Sequence, residues 1–258
     1  MIYLKNPDQI AKMRDAGALL YEVLQACKAM VKPGVTTGEV DAFAEQMIRK
    51  NHAIPSFLHY HGFPGTICAS IDYQVVHGFP SRKVELKEGQ IFSIDCGLIL
   101  DGWQSDSALT VGVGEISPAA QKIIRVTEEC FWKGIRQAVA GNRLGDIGHA
   151  VQEHAEANGF SIVRDLTGHG IGRDMHEDPS VFNYGTPGKG LRLRSGMTIA
   201  VEPMISAGSW EIEEEDNGWT YDTLDHSLSS HYEHTIAITD GLPEVLTLPG
   251  FTWKEETH

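Results

Sequence analysis

The chain has 258 residues, 41% hydrophobic and 22% charged, with a formal net charge of −14. That charge argues against nucleic-acid backbones and anionic membranes as main partners, and the length suits one large domain or two small ones. The first residues lack an apolar core of signal-peptide length, no run approaches the roughly 18 apolar residues of a membrane span, and the four cysteines form no CxxC pair, so a cytoplasmic globular protein is expected.

Residues 10–30 carry apolar side chains at helical spacing and stop at Lys32-Pro33-Gly34. Residues 36–51 read as a second helix with Thr37 as its cap. Residues 54–80, rich in glycine and proline, read as short strands and loops. Next comes IFSIDCGLILDGWQSDSALTVGVG (91–114), a β-hairpin pattern turning at Asp101-Gly102, a strong two-residue type I′ signal. Ser117 and Pro118 fit the cap and first turn of a helix over 118–139. A fourth helix spans 145–159, and its His149, Glu153 and His154 read as a solvated face. Strand-like segments follow, with the acidic run 211–218 expected as a solvated hairpin around Asn217-Gly218.

The order helix, helix, strands thus occurs twice. LKEGQIFSID (86–95) aligns without gaps on LRSGMTIAVE (193–202), an offset of 107, and the same offset places PGVTTGEV (33–40) on AGNRLGDI (140–147). Either short amphipathic pieces coincide or the chain is a duplication. A duplication divides a single domain, 1–258, into halves 1–112 and 113–258 packed about a pseudo-two-fold axis. It also makes Glu202 the counterpart of Asp95.

If Asp101-Gly102 forms the hairpin loop, Asp95 lies opposite Ala108 and Asp106 opposite Gly97. Both acids then share a face with Ser93, Gly97 and Thr110, while Phe92, Ile94, Cys96, Leu98, Leu109 and Val111 take the other. Buried carboxylates are costly unless neutralised. A cation or a pair of cations would satisfy them; a solvent-exposed face, or a bulge that breaks the register, is the other reading.

The second half adds His169 and His176 in a Gly-rich segment, Glu202 within IAVEPMI and Glu233 within SSHYEHTIAIT. Taken singly, each suits a turn, a core or a strand end. Four carboxylates in nearly apolar strand contexts, with no arginine or lysine beside them, need a compensating charge. Asp95, Asp106, His169, Glu202 and Glu233 make a hard set of one nitrogen and four carboxylates. Such a set suits two bridged divalent ions (Mn, Fe(II), Co or Zn) better than one tetrahedral zinc. A pair of ions of this kind points to hydrolysis. GxSxG, Walker A, GxGxxG, HExxH and HxxEH motifs are all absent.

VVHGFP (75–80), IDCGLILDGWQSDSALT (94–110), GHGIGRDMHEDP (168–179), VEPM (201–204) and YEHT (232–235) resemble, in order, the methionine aminopeptidases. The short segment between Glu202 and Glu233 and the lack of a zinc-finger extension resemble the bacterial type I forms. The resemblance implies an α/β (α+β) pita-bread fold: two pseudo-two-fold related halves, each of helices and antiparallel sheet, around a dinuclear metal site. It implies removal of the initiator methionine from nascent polypeptides, preferring a small second residue, by a cytoplasmic monomer near the ribosome. By the same resemblance Asp95 and Asp106 hold one metal, His169 and Glu202 complete the other, and Asp106 and Glu233 bridge. A metal-bridging hydroxide is then the nucleophile. Glu202 shuttles its proton, His176 faces the oxyanion and His77 contacts the scissile amide nitrogen. The methionine pocket implied is Tyr60, Phe63, Cys68, Met175 and Trp219, with Phe57 near its mouth. His231 departs from the family pattern, where glutamine is commoner, as do Phe57 and Met175. The rival readings are a proline-specific aminopeptidase of the same fold and a non-catalytic pita-bread binding protein.

Overall fold

The computed structural model describes residues 1–254. Helix α1 (Pro7–Met30) starts earlier than its periodicity suggests because Asn6 and Gln9 cap each other. The Asn6 side chain accepts from the Gln9 N–H, and the Gln9 side chain accepts from the Asn6 N–H. Helix α2 (Thr37–Lys50) is capped by Thr36 rather than Thr37, through the same reciprocal arrangement with Glu39. The Thr37 hydroxyl instead donates to the Ser81 carbonyl. Helix α3 (Pro118–Ile135) keeps its Ser117 cap but ends before residues 136–139, which leave the helix. On α4 (Leu144–Ala157), His154 is not merely solvated: its Nε2 pairs with Glu129 of α3 at 2.8 Å.

Nine strands form the main sheet. Its central path runs Ile54–Pro55, Ile91–Leu100, Trp103–Gly112, Glu233–Ala237, Thr198–Val201, Gly168–Gly170, Glu177–Val181. The pairings along that path are antiparallel. The central hairpin has the expected register without a bulge: Leu100 faces Trp103, Asp95 faces Ala108 and Gly97 faces Asp106. Asp101 and Gly102 take φ of 50° and 75°, the left-handed pair that a type I′ turn requires.

Strand alternation sends successive side chains to opposite faces. One face goes to the helices. Phe92, Ile94, Cys96 and Leu98 pack with α1 and α2, and Ile199, Val201 and Ile236 pack with Phe131, Ile135 and Ile147 of α3 and α4. The opposite face is left for polar residues.

The same backbone bonds recur 107 residues apart. The Gly34 N–H donates to Leu86 and the Gly141 N–H to Leu193; Thr37 donates to Val84 and Leu144 to Leu191. The isolated bridges Thr36–Glu85 and Arg143–Arg192 obey the same spacing. The acidic run 211–218 does form a hairpin, pairing Ile212–Glu214 with Tyr221–Thr223. In its turn the Asn217 side chain accepts from the N–H groups of Trp219 and Thr220, which fixes Trp219. Among the described residues no helix is long and apolar enough to cross a membrane.

Gly17 lies inside α1, a position where alanine normally adds up to about 1 kcal/mol of stability. A Cβ there would come within 2.2 Å of the Leu246 carbonyl oxygen, which is backbone and cannot swing aside. Gly17→Ala should therefore reverse the usual sign and cost roughly 1–3 kcal/mol. Calorimetry showing an unchanged or raised melting temperature would contradict this packing.

Candidate active site

Five adjacent strands of the sheet each bring one of the expected donors to the same side. Asp95 comes from Ile91–Leu100, Asp106 from Trp103–Gly112, Glu233 from Glu233–Ala237 and His169 from Gly168–Gly170. Glu202 directly follows Thr198–Val201. Asp95, Ala108 and Glu233 form one cross-strand row, so only a methyl group stands between these two acids. Asp95 is also paired with Cys68 of the strand on its other side.

The donors approach without bonding to one another. His169 Nε2 lies 3.6 Å from Asp106 Oδ2 and 3.7 Å from Glu202 Oε1. Those distances are too long for hydrogen bonds but suit donors sharing an ion about 2.1 Å from each. The His169 tautomer follows from its other nitrogen. Nδ1 sits 2.9 Å from the Gly170 carbonyl, which can only accept, so Nδ1 carries the proton and Nε2 presents its lone pair.

Asp95 Oδ1, Asp106 Oδ1 and Glu233 Oε1 are buried, and none has a hydrogen-bond partner among the described residues. Among the described residues no lysine or arginine pairs with the four acids, and buried Lys5 is taken by Glu177. Burial, reinforced by the Asp106 charge, holds the Asp95, Glu202 and Glu233 carboxyls well above the usual carboxylate range. Four ionised carboxylates match the charge of two divalent cations, and the unpartnered oxygens are what such ions would occupy. The residues therefore fit the expected pair of metals.

The donors open into a cavity of about 180 Å³. His77 and His176 line it, with Phe57, Tyr60, Phe63, Cys68 and Trp219 forming its wall. Phe63 meets Trp219 edge-on, with ring centroids 5.2 Å apart. His176 is hydrogen-bonded through Nδ1 to the Tyr60 hydroxyl at 2.9 Å. Burial, followed by the neighbouring His169, pushes its pKa down to about 4. His77 occupies the left-handed region at φ 59°, and burial lowers its pKa too.

One expected pocket residue is displaced. Met175 is not on the cavity wall; it is buried behind it, packed with Trp103, Ile171, Phe57 and Tyr60. Gly97 makes room for this layer, since a Cβ there would lie 2.9 Å from both Met175 and Phe57. Leu166, Thr167 and Met204 line the cavity without having been expected. His231, expected only to affect selectivity, enters the metal region itself, with Nε2 3.6 Å from Glu233 Oε2. Its spacing of two from Glu233 on a strand-like segment was the available signal, because alternate residues share a face.

Residues 11–240 match the model of metallopeptidase family M24. The chain belongs to that family. It is 53% identical over 248 residues to the methionine aminopeptidase of Clostridium perfringens, covering 96% of this chain and 99% of that protein. It is 46% identical to methionine aminopeptidase 1 of Bacillus subtilis, again covering 96% and 99%. The crystal structure of methionine aminopeptidase from Rickettsia prowazekii superposes with a TM-score of 0.95 at 44% identity, covering 96% of this chain and 100% of that one. The fold is thus the pita-bread fold, and the M24 chain is a metal-dependent hydrolase.

The raised carboxyl pKa values set the pH response of the metal-free M24 protein. Its folded state holds protons that the unfolded chain releases near pH 4, so stability falls as pH rises above that range. Divalent ions displace those protons. Titration calorimetry in buffers of different ionisation enthalpy should show proton release on binding and affinity that increases between about pH 5 and about pH 8. Affinity that is flat over this range would contradict the buried, proton-holding cluster.

Proposed function

We propose that the chain removes the N-terminal initiator methionine from nascent proteins and peptides with a small second residue, as a metal-dependent methionyl aminopeptidase. One observation carries this reading: five metal donors open into the same cavity as an aromatic wall that also bears a thiol. Such a wall suits a polarisable thioether, and burying a methionine side chain contributes about 1.5–3 kcal/mol. Identity to methionine aminopeptidases over nearly their full length supports this reading over a proline-specific peptidase. Convergence of all five donors disfavours a non-catalytic binding protein.

Asp95, Asp106, His169, Glu202 and Glu233 would hold two divalent ions (Co, Mn, Fe(II) or Zn). When bound, such ions acidify a water and polarise the scissile carbonyl. The side chains of the site do the rest. His176 is neutral at pH 7; with the Tyr60 hydroxyl donating to Nδ1, its ring proton sits on Nε2, where it can hydrogen-bond a developing oxyanion. His77, whose ring meets those of Trp219 and Tyr221 edge-on with centroids 6.1 Å away, contacts the scissile amide nitrogen. Glu202 carries the proton to the leaving amine. Phe57, Tyr60, Phe63, Cys68 and Trp219 enclose the methionine side chain, with Met175 bracing Phe57 and Tyr60 from behind.

We read residues 1–258 as one catalytic domain of two duplicated halves, 1–112 and 113–258, which the backbone bonds repeated at 107-residue spacing support. We also read it as a cytoplasmic monomer that meets its substrates near the ribosome; four free, buried cysteines support a reducing compartment.

Supplied with Mn or Co, the purified protein should cleave Met-Ala-Ser and leave X-Pro peptides intact. His176→Ala should lower kcat about 10²- to 10³-fold with little change in KM. Asp95→Asn should abolish nearly all turnover; near-normal rates in that variant, or a preference for X-Pro, would overturn the assignment.

A further inference from the structure

His231 is 2% exposed, yet among the described residues its Nε2 has no hydrogen-bond partner. A buried polar nitrogen left unpaired is costly, so its surroundings need a reason. Nε2 lies 3.6 Å from Glu233 Oε2 and 3.7 Å from Glu202 Oε2. His169 Nε2 stands at the same spacing, 3.6 Å and 3.7 Å, from Asp106 and Glu202. Two triads result, Asp106–His169–Glu233 and Asp95–His231–Glu233, each with ligand atoms within 4.8 Å of one another. They share Glu233, and each contains one imidazole.

We propose that His231 is a sixth protein donor to the dinuclear centre, binding through Nε2 the ion held by Asp95 and Glu233. The inference rests on the two-ion reading above and deepens it. The ring is delivered by a fixed backbone. The Thr110 hydroxyl accepts from the His231 N–H at 3.0 Å and donates to the His231 carbonyl at 2.8 Å. With that proton committed, Ser93 donates to Thr110 at 2.7 Å. These are the small polar residues that share a face with Asp95, so the hairpin that carries two acids also anchors the sixth donor. An imidazole adds a ligand without adding charge, leaving the balance between four carboxylates and two divalent cations undisturbed. It also gives each ion one nitrogen. Nitrogen donors favour cobalt, nickel and zinc over manganese, so the Asp95 position should discriminate against manganese more than an all-oxygen site would.

The test uses the full chain loaded with Co(II), and separately with Mn(II), in wild type and His231→Gln, which keeps size and polarity. A crystal structure of the Co(II)-loaded wild type should place Nε2 about 2.0–2.2 Å from one ion. Titration calorimetry should show one of the two Co(II) binding events weakened at least about tenfold in His231→Gln, with a smaller loss for Mn(II). An Nε2 more than about 3 Å from both ions, hydrogen-bonded to a carboxylate or water, would overturn the inference and leave the five-donor centre standing. Unchanged Co(II) affinities in the variant would overturn it as well. A wild type that binds no divalent ion would overturn both this inference and the reading beneath it.

Discussion

Four carboxylates lie on one largely buried face of a sheet, and among the described residues no lysine or arginine balances them. Ionised and alone, such a cluster would oppose folding by mutual repulsion and lost hydration. The rest of the architecture is a frame that tolerates this arrangement. Antiparallel register sets the acids in adjacent rows, and helices on the opposite face supply the apolar burial that offsets their cost. Ala108 puts only a methyl group between Asp95 and Glu233, and Gly97 leaves room for Met175 and Phe57.

The same constraint explains the chemistry around the cluster. A charge deficit that only cations can fill makes the protein a metal protein before any substrate is considered. His169 is fixed as a ligand by its bond to Gly170, and His176 is kept neutral by burial beside it. A group that stays uncharged at pH 7 can donate a hydrogen bond next to a cationic centre without being repelled by it. The aromatic wall then contributes binding through apolar burial, and the ions contribute reactivity.

Much of this could be read from the sequence because it is carried by local rules. Asp101-Gly102 has one favoured hairpin geometry, and that turn alone sets which residues oppose Asp95 and Asp106. The 107-residue repeat is visible because the turns entering α2 and α4 need the same glycine and the same acid, Glu39 or Asp146, accepting from the N–H of the capping residue. What escaped depended on contacts between distant segments. Met175 follows a Gly-rich stretch, and nothing local says that it tucks behind Phe57 rather than facing the cavity. The Thr36 cap was misassigned by one residue because two threonines stand side by side, and the Ser81 carbonyl takes the second. His231 looked like a variation in selectivity because its approach to Glu202 depends on the fold of the second half.

The central claim is that no lysine or arginine among the described residues compensates these carboxylates, so the metal-free protein holds protons there that divalent ions displace. Its most direct test is the melting temperature of Glu233→Gln beside the wild type at about pH 8, first metal-free and then with saturating Co(II). At this pH a carboxyl that burial holds protonated favours the unfolded chain, where it can ionise, so an amide of the same shape should make the metal-free variant melt higher than the metal-free wild type. Saturating Co(II) should reverse that order, because the wild type alone retains its full set of ligands. A metal-free variant that melts lower than the wild type would contradict the account, since it would mean that the protein already stabilises the ionised Glu233.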